Sequence, residues 1–451
     1  MGCAGNPDVI TPNLDKMAEE GTMFNHAYAN SPVCTPSRGS LLTGLYPLSH
    51  GAVANDISIS DNAVGIGEIL KNAGYKTGYI GKWHLDSIPR DKFTPPGQKR
   101  LGFNYWAAWN CAHSYFNGCY YENDNEKPKK IIGYEPIGQT DLAIDFIKNS
   151  NEQPFCLYLS WGPPHDPYLT VPENYKQMYD SRKLKWRANV NFDSETSRQI
   201  LWRNDKQADA NEILACYYAA ITALDDQMGR IMNTLKDEGL SDNTIVVFTS
   251  DHGDMLWSHG MMKKQQPWEE SINVPFIIKW PGNIPAGEKR DQLLSVVDMA
   301  PSFLGLLEIE GTEKMQGGDF SPIMKGCKSK GSDSVYIMDI VSVLDESGRQ
   351  GIKEWRGIRT KRYTYARLQD GEGWVLYDNV EDPYQMNNLI NNEKYSKIKQ
   401  ECEERLQKWM QYTNDEFLEG KEHLKKLNLA DEWNKRETFM HPKNPDLIVN
   451  K

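Results

Sequence analysis

Residues 34–38 have the residue types and the spacing of a chemically active segment. Cys34 is separated from Arg38 by three residues that include Pro36 and Ser37. Pro and Ser are common where helices begin, and apolar residues follow, so we predict that Cys34 lies at a helix N-terminus. Backbone N–H groups at such a terminus attract anions and make a thiol more acidic. The segment therefore predicts a nucleophile, with Arg38 one turn later to hold an anion or orient a modified Cys34.

Two other interpretations of Cys34 are weaker. A cysteine phosphatase loop needs a longer gap between its Cys and Arg, because backbone amides must wrap around the phosphate. The gap between Cys34 and Arg38 is too short for that. An inert buried thiol is the second interpretation, since free cysteine is among the most buried residue types. Residues 32–33 and 40–47, on either side of the segment, resemble a known family signature, which argues against an inert thiol.

The elements around this segment alternate between strand and helix patterns. Apolar runs at residues 155–160 and 244–249 predict buried strands, and residues 77–81 and 274–280 predict two more. A long amphipathic helix is predicted at residues 213–236. Strands separated by helices predict the α/β class, with a mainly parallel sheet flanked by helices.

Titratable residues follow three of these strands. Lys82 and His84 come after the first, His165 after the second, and Asp251 and His252 after the third. The carboxyl ends of strands form the ligand site in open α/β sheets, so these groups are expected to meet. Each residue alone could be a loop residue or a helix cap. Together they predict one active site.

The combination resembles the formylglycine-dependent sulfatases of the alkaline-phosphatase-like superfamily. Residues 32–47, which contain the Cys-Thr-Pro-Ser-Arg segment, look like the family signature. Residues 81–84, 164–167, 250–253 and 258–271 resemble the other active-site blocks of the family, in the same order. The resemblance implies the superfamily's α/β fold and a hydrolase that cleaves sulfate esters, with O-sulfate groups of carbohydrates as the expected substrates.

The resemblance assigns the central chemistry to Cys34. In the family a maturation enzyme oxidises this cysteine to formylglycine, and the hydrated aldehyde attacks sulfur. His84 is expected to remove a proton from the second hydroxyl, which expels sulfate and restores the aldehyde. The implied partners are therefore the maturation enzyme and a sulfated carbohydrate substrate.

The resemblance also gives charged roles to residues from the other blocks. Lys82, Lys264 and Arg38 are expected to balance charge on the sulfate and on the hydrated aldehyde. His165, with Lys264, is the expected general acid for the leaving alcohol. Lys263 is the adjacent alternative to Lys264, because the two glutamines that follow do not anchor the alignment.

A divalent cation is implied as well. Asp251, His252 and the modified residue 34 are the expected ligands, and the family favours Ca²⁺, with Mg²⁺ or another divalent cation as the alternative. A His ligand is softer than calcium prefers.

The first residues depart from the family pattern. Relatives begin with a buried strand that ends in two acidic metal ligands, whereas this chain begins at a later stretch. We therefore expect a truncated N-terminus without this strand, its two ligands or a signal peptide, and hence weakened metal binding and activity. The full-length protein is expected in the periplasm or outside the cell.

Composition argues against several other functions. The 451 residues carry a net charge of −11 and no long basic run, so nucleic acid is not an expected partner. No apolar stretch approaches the roughly 18 residues of a membrane span. The 8 cysteines show no zinc spacing, and mostly free thiols are expected. Cys111 and Cys119 are the pair close enough in sequence to suggest a local bridge.

Substrate identity is the feature that the sequence determines least. Residues 103–121 are rich in aromatic side chains, which either form a platform for sugar rings or fill the core. His113 within this stretch is a candidate specificity residue.

Two domains are predicted, a catalytic domain at residues 1–340 and a smaller α+β domain at residues 341–451. Strand patterns at residues 355–365 and 375–378 predict an antiparallel sheet in the second domain, and a helix at residues 395–412 is expected to pack on it. The charged tail that follows is expected to be an extension that orders on contact.

Two other functions fit the same residues. Phosphonate monoester hydrolases and related phosphodiesterases share the superfamily fold and in some cases the same Cys motif, so a phosphoryl substrate is the nearer alternative. A chain that lacks part of its metal site could also be an inactive glycan-binding relative. The retention of Arg38, Lys82, His84, His165 and Lys264 argues against that second alternative.

Overall fold

The computed structural model describes residues 1–150, 152–193, 201, 205–342, 353–371, 373–441 and 449. Its strands are, in chain order, β1 (Thr22–Phe24), β2 (Ala27–Tyr28), β3 (Lys76–Lys82), β4 (Tyr105–Trp109), β5 (Cys119–Glu122), β6 (Lys129–Lys130), β7 (Phe155–Ser160), β8 (Val246–Thr249), β9 (Asn273–Val274), β10 (Phe276–Lys279), β11 (Glu288–Arg290), β12 (Leu294–Ser295), β13 (Ser334–Asp339), β14 (Trp355–Thr360), β15 (Tyr363–Leu368) and β16 (Gly373–Asp378). Its α-helices are α1 (Pro12–Glu19), α2 (Cys34–Thr43), α3 (Pro47–His50), α4 (Ile66–Asn72), α5 (Glu135–Lys148), α6 (Glu173–Lys176), α7 (Ala210–Asp237), α8 (Glu269–Ile272), α9 (Met299–Leu306), α10 (Ser321–Met324), α11 (Ser396–Thr413), α12 (Gly420–Lys426) and α13 (Ala430–Met440).

Most predicted elements lie close to their predicted bounds. β3 and β7 match the strands predicted at residues 77–81 and 155–160, and α7 contains the helix predicted at residues 213–236. The single strand predicted at residues 274–280 is instead divided into β9 and β10. Pro275 separates the two, because it has no N–H to donate to a ladder.

The first part of the chain contains a mixed, partly parallel sheet system. β3 lies between β4 and β7 and is parallel to both, with Gly78 opposite Tyr105 and Leu157. The strand order in this sheet is β6-β5-β4-β3-β7, and a second sheet has the order β11-β1-β10-β8. β10 is antiparallel to both of its neighbours. The α/β class is confirmed, although the strands are less uniformly parallel than the sequence predicted.

Two of the predicted strands are less buried than expected. β7 and β8 end their sheets within the described ranges, and every residue of both strands is only half-buried. Both strands line one cavity of about 1410 Å³. The prediction of fully buried strands at residues 155–160 and 244–249 is therefore wrong, because these strands border a cavity rather than a further strand.

Helices α5 and α7 pack beside the parallel strands. Ile147 of α5 and Leu235 of α7 join Ile80 of β3 in one buried apolar cluster. Burying an aliphatic side chain of this size contributes about 2 kcal/mol. This layer fixes the direction of β3 and β7, and with it the position of the titratable residues at their carboxyl ends.

The last part of the chain is built on an antiparallel sheet, as predicted. The order of this sheet is β13-β14-β15-β16, and α11 packs against it with Leu406 buried in the shared core. β13 begins at Ser334, ahead of the boundary predicted after residue 340, and the division into two domains stays a prediction. The charged tail contains α12 and α13, which bury Leu424 and Trp433 in the same core.

All 8 cysteines are free thiols, so the suggested bridge between Cys111 and Cys119 is not formed. Cys111 is buried beyond the end of β4, whereas Cys119 lies within β5 opposite Lys130. In the part of the chain that the structure describes, no helix has the length and apolar character needed to cross a membrane.

Candidate active site

Helix α2 begins at Cys34, as the sequence predicted. The preceding residue, Val33, is extended, and the Thr35 backbone N–H donates to Asn55 Oδ1 at 3.1 Å. Cys34 is only 2% exposed. The thiol therefore lies at the positive end of a helix dipole in a buried pocket, where a negative charge is stabilised.

Side chains from two strand ends converge on this thiol. Lys82 Nζ lies 3.3 Å from Cys34 Sγ, and His252 Nε2 lies 3.2 Å from the same atom. Burial opposes the thiolate, but the positive charges of Lys82, Lys264 and His252 bring the pKa of Cys34 well below its usual range. The groups that the sequence placed after separate strands are thus brought together around residue 34.

Arg38 forms an ion pair with Asp251. Its Nε lies 2.9 Å from Asp251 Oδ2, and its NH1 donates to the Lys82 carbonyl at 2.8 Å and to Ser160 Oγ at 2.6 Å. Burial opposes ionisation of Asp251, yet Arg38 and His252 lower the pKa of that carboxyl to about 2. Arg38 therefore ties α2 to the ends of β3 and β7 and keeps Asp251 charged.

His84 is held by a buried ion pair that the sequence did not reveal. Its Nε2 lies 3.1 Å from Asp56 Oδ1, and Arg90 binds both oxygens of Asp56 at 2.8 and 2.7 Å. Burial opposes a charged His84, but Cys111 and Asp56 raise its pKa to about 10. Asp56 and Arg90 lie in loops without a motif, so no pattern in the sequence could have identified them.

His165 and Lys264 contact each other on another side of the thiol. Lys264 Nζ lies 2.7 Å from His165 Nε2, and His165 Nδ1 lies 3.0 Å from Asp166 Oδ1. Lys263 Nζ lies 3.3 Å from Asp166 Oδ2. Lys264 therefore faces the site through His165, whereas Lys263 is bound to Asp166, a residue to which the sequence had given no role.

His113 and Cys111 extend this group of residues. The His113 ring stacks on His165 with 4.5 Å between ring centroids and 9° between ring planes. Cys111 Sγ lies 3.7 Å from His113 Nε2. Burial lowers the pKa of His113 to about 4. His113 is thus part of the site, and Cys111 joins it as a buried thiol that the sequence had linked only to a disulfide.

The aromatic stretch at residues 103–121 mainly fills the core. Phe103, Trp106 and Tyr115 are at most 3% exposed, whereas Phe116 is 38% exposed. A continuous sugar platform is therefore not formed by this stretch, because most of its rings pack into the sheet and helix layers.

A set of possible metal ligands is also present. The ligand atoms of Cys34, Asp251 and His252 all lie within 4.8 Å of one another. His252 Nδ1 lies 2.8 Å from the Gly253 carbonyl, which directs Nε2 towards residue 34. The set fits a divalent cation, but it offers one carboxylate where Ca²⁺ takes about six to eight oxygen ligands. Calcium would need oxygen ligands beyond these three residues.

This arrangement can bind a tetrahedral anion and transfer protons around it. Buried cations in a site that excludes water stabilise charge on a reacting group far more than exposed ones do. Two histidines in different surroundings, His84 and His165, lie near the same nucleophile position. The chemistry that fits is the transfer of a sulfuryl or phosphoryl group to a group at residue 34.

Comparison with known proteins agrees with this chemistry. The family model described as Sulfatase matches residues 1–309, and the model described as N-sulphoglucosamine sulphohydrolase, C-terminal, matches residues 257–412. An ulvan-active sulfatase of Formosa agariphila is 37% identical over 95% of this chain and 81% of its own length. An endo-4-O-sulfatase of Bacteroides thetaiotaomicron is 32% identical over 88% of this chain and 84% of its own length.

A solved structure shows the same fold. A Bacteroides fragilis protein, solved as a candidate sulfatase, superposes with a TM-score of 0.81 at 31% identity. The match covers 92% of this chain and 93% of the other.

Proposed function

The chain belongs to the sulfatase family, and we propose that it hydrolyses O-sulfate esters of carbohydrates with a formylglycine formed from Cys34. The observation that carries the proposal is the convergence of side chains on Cys34, where Lys82 and His252 contact the sulfur. The two relatives named for ulvan and for a 4-O-sulfate support a carbohydrate substrate.

Formylglycine supplies a hydrated aldehyde, whose oxygen attacks sulfur and whose collapse releases sulfate without hydrolysis of a stable ester. Its formation needs a maturation enzyme that reaches the thiol. Cys34 is 2% exposed in the folded chain, so we expect the oxidation to take place before folding is complete.

Lys82 and Lys264 bind the sulfate oxygens in this proposal. The Nζ atoms of both lysines lie beside the reacting position, one against Cys34 Sγ and one against His165 Nε2. A lysine Nζ is a compact charge with three donors, and in a buried site it stabilises charge that develops on the sulfuryl group. Arg38 acts through Asp251, which it orients and keeps ionised.

Two histidines handle the protons. The proton for the leaving alcohol comes from the pair of Lys264 and His165, whose Nζ and Nε2 atoms lie 2.7 Å apart and hold one proton between them. His84 accepts a proton from the hydrate at residue 34. Cys111 and Asp56 contribute more to the raised pKa of His84 than Cys34 does, so His84 must lose its own proton before it can act as this base.

Asp251 and His252 would hold a divalent cation together with the group at residue 34. Such a cation supplies positive charge for the attacking oxygen and the sulfuryl group. The proposal places the protein in the periplasm or outside the cell, where sulfated polysaccharides occur.

The proposal is tested by measuring sulfate release from a panel of monosulfated sugars, with the protein produced alongside a formylglycine-generating enzyme. Mass spectrometry of the peptide that contains residue 34 reports the conversion. We expect turnover only in converted protein and none in Cys34→Ala. Turnover by material with an intact thiol contradicts the mechanism.

The same panel separates sulfuryl from phosphoryl transfer. Sulfate and phosphate esters of one alcohol are compared at equal concentration, with the phosphonate monoester as a third substrate. A higher kcat/KM for the phosphoryl substrates replaces the proposal with the phosphonate hydrolase alternative. Glycan binding without turnover of any ester replaces it with an inactive relative.

A further inference from the structure

Residues 182–187 form a basic segment on an acidic chain. Arg182, Lys183, Lys185 and Arg187 place four cations in six residues, while the whole chain has a net charge of −11. All four side chains are exposed. A local concentration of positive charge of this kind attracts an anionic ligand and raises its association rate.

Arg187 differs from the other three because it lines the cavity of the active site. Lys82, His165 and His252 line the same cavity. Arg187 Nε lies 2.7 Å from Glu270 Oε1, and the guanidinium lies 5.1 Å from the centre of the Tyr384 ring. The guanidinium is therefore held at the cavity wall.

Neighbouring contacts fix the orientation of this arginine. Asn189 Nδ2 donates to Glu270 Oε1 at 2.8 Å and to the Tyr384 carbonyl at 2.9 Å, which links the two residues that contact Arg187. Arg187 is nevertheless 49% exposed. A guanidinium has five N–H donors, and Glu270 engages the one at Nε. Donors of a pre-oriented arginine thus remain on the solvent side.

The side chain of Trp186 anchors the basic segment. Trp186 Nε1 donates to Asn211 Oδ1 at 2.7 Å, and its ring contacts Phe192 and Trp257 with centroid distances of 5.1 and 5.9 Å. Because Trp186 precedes Arg187, this anchor limits the freedom of the arginine backbone. A fixed donor loses less entropy when it binds a ligand.

We propose that Arg187 and Tyr384 form a subsite for a second anionic group on the glycan whose scissile sulfate lies at residue 34. The group is a carboxylate or a further sulfate on a sugar next to the reacting one. Arginine pairs with both through parallel N–H···O bonds, and the 39% exposed Tyr384 ring offers a face for the sugar. This subsite rests on the proposed function, since it defines the substrate class as polyanionic glycans.

Binding is measured by calorimetry in the Cys34→Ala protein, which separates recognition from turnover. The first probe is a sulfated disaccharide with a uronate next to the sulfated sugar. The second is the same disaccharide with its carboxylate reduced to an alcohol. The third is a disaccharide of two sugars without carboxylates that carries two sulfates, one on each sugar. We expect the uronate probe, the disulfated probe or both to bind about tenfold more weakly after Arg187→Ala, whereas the Kd of the reduced probe changes less than twofold.

Arg182→Ala is the matched control, because Arg182 lies in the same segment, is 86% exposed and pairs with Asp180. It removes the same charge, and we expect no more than a twofold change. The subsite is refuted if the two variants weaken binding equally, if Arg187→Ala weakens the reduced probe as much as the anionic ones, or if no probe binds. Arg187-dependent binding together with absent turnover in converted wild-type protein refutes the sulfatase mechanism and leaves the subsite intact.

Discussion

Buried charges are paired with opposite charges in the C-terminal sheet, whereas in the active site buried lysines lie beside groups that carry no fixed negative charge. In the C-terminal sheet Arg356 Nε lies 2.5 Å from Asp415 Oδ2, and Tyr336 and the Phe417 backbone N–H donate to the same carboxylate. In the active site Lys82 and Lys264 approach a thiol and an imidazole at 3.3 and 2.7 Å.

The difference teaches what each group of charges does. A buried ion pair with saturated hydrogen bonds compensates its own desolvation, so the cost appears when one partner is removed. A group of cations that face a nucleophile keeps a positive field that costs stability and favours an incoming anion. Charge balance thus separates the structural cluster from the functional one more clearly than burial does.

Asp415→Asn should produce the largest effect, on stability. The substitution leaves Arg356 charged and buried, so the free energy of unfolding should fall by about 3–5 kcal/mol. Denaturant titration measures the loss, and the activity of the folded fraction should persist. Replacing both residues, with Arg356→Met and Asp415→Leu, should recover most of the loss. The comparison would be contradicted if Asp415→Asn lowered the free energy of unfolding less than the double replacement does.

Lys264→Met should lower activity and leave stability unchanged or higher. Loss of a buried cation beside His165 should lower kcat/KM for a sulfate ester about 10²- to 10³-fold, while the unfolding midpoint stays equal or rises. Steady-state kinetics and thermal unfolding of the same preparation give both values. Lys263→Met is the neighbouring comparison, and an equal loss of activity there would remove the distinction between the two lysines.

Glu135 offers a pH test, because it is buried near the active site and Gln139 donates to its Oε1 at 2.8 Å. Burial raises the pKa of Glu135 to about 7. The folded protein therefore holds this proton more tightly than the unfolded chain, and the stabilisation present below about pH 4.5 is lost as the pH rises to about 7. Glu135→Gln lacks this loss.

The stability of Glu135→Gln relative to wild type should therefore rise by on the order of 3 kcal/mol between these pH values and then level off. Chemical unfolding at a series of pH values measures the difference. A constant difference across the range would show that the charge of Glu135 is compensated to the same degree as the charges of the C-terminal sheet.

Inorganic sulfate should give the smallest effect. At several times its Kd it should stabilise the wild type by about 1 kcal/mol, because only the folded chain presents the anion site. Thermal shift measurements should show this increase in Asp415→Asn and not in Lys264→Met. An increase in both variants would place sulfate outside the active site.

The helix and strands around Cys34 lie where the sequence predicted them because their signals are local. The helix start at Cys34, the strand before Lys82 and the strand before His165 each follow from a few neighbouring residue types. Asp56, Arg90 and Asp166 were missed, since their roles come from contacts with His84 and His165 that no local pattern encodes.

The sequence by itself determined the helix that begins at Cys34, the strands β3 and β7, the long helix α7, and the position of charged residues after those strands, because spacing along the chain sets helix starts and strand ends. The tertiary structure alone decided that Lys264 rather than Lys263 faces His165, that Arg38 turns to Asp251, and that β7 and β8 border a cavity. The physical reason is distance along the chain. Cys34 meets His252 only because sheets and helices pack residues 218 positions apart into one pocket, and the charge balance of that pocket exists nowhere in the local sequence.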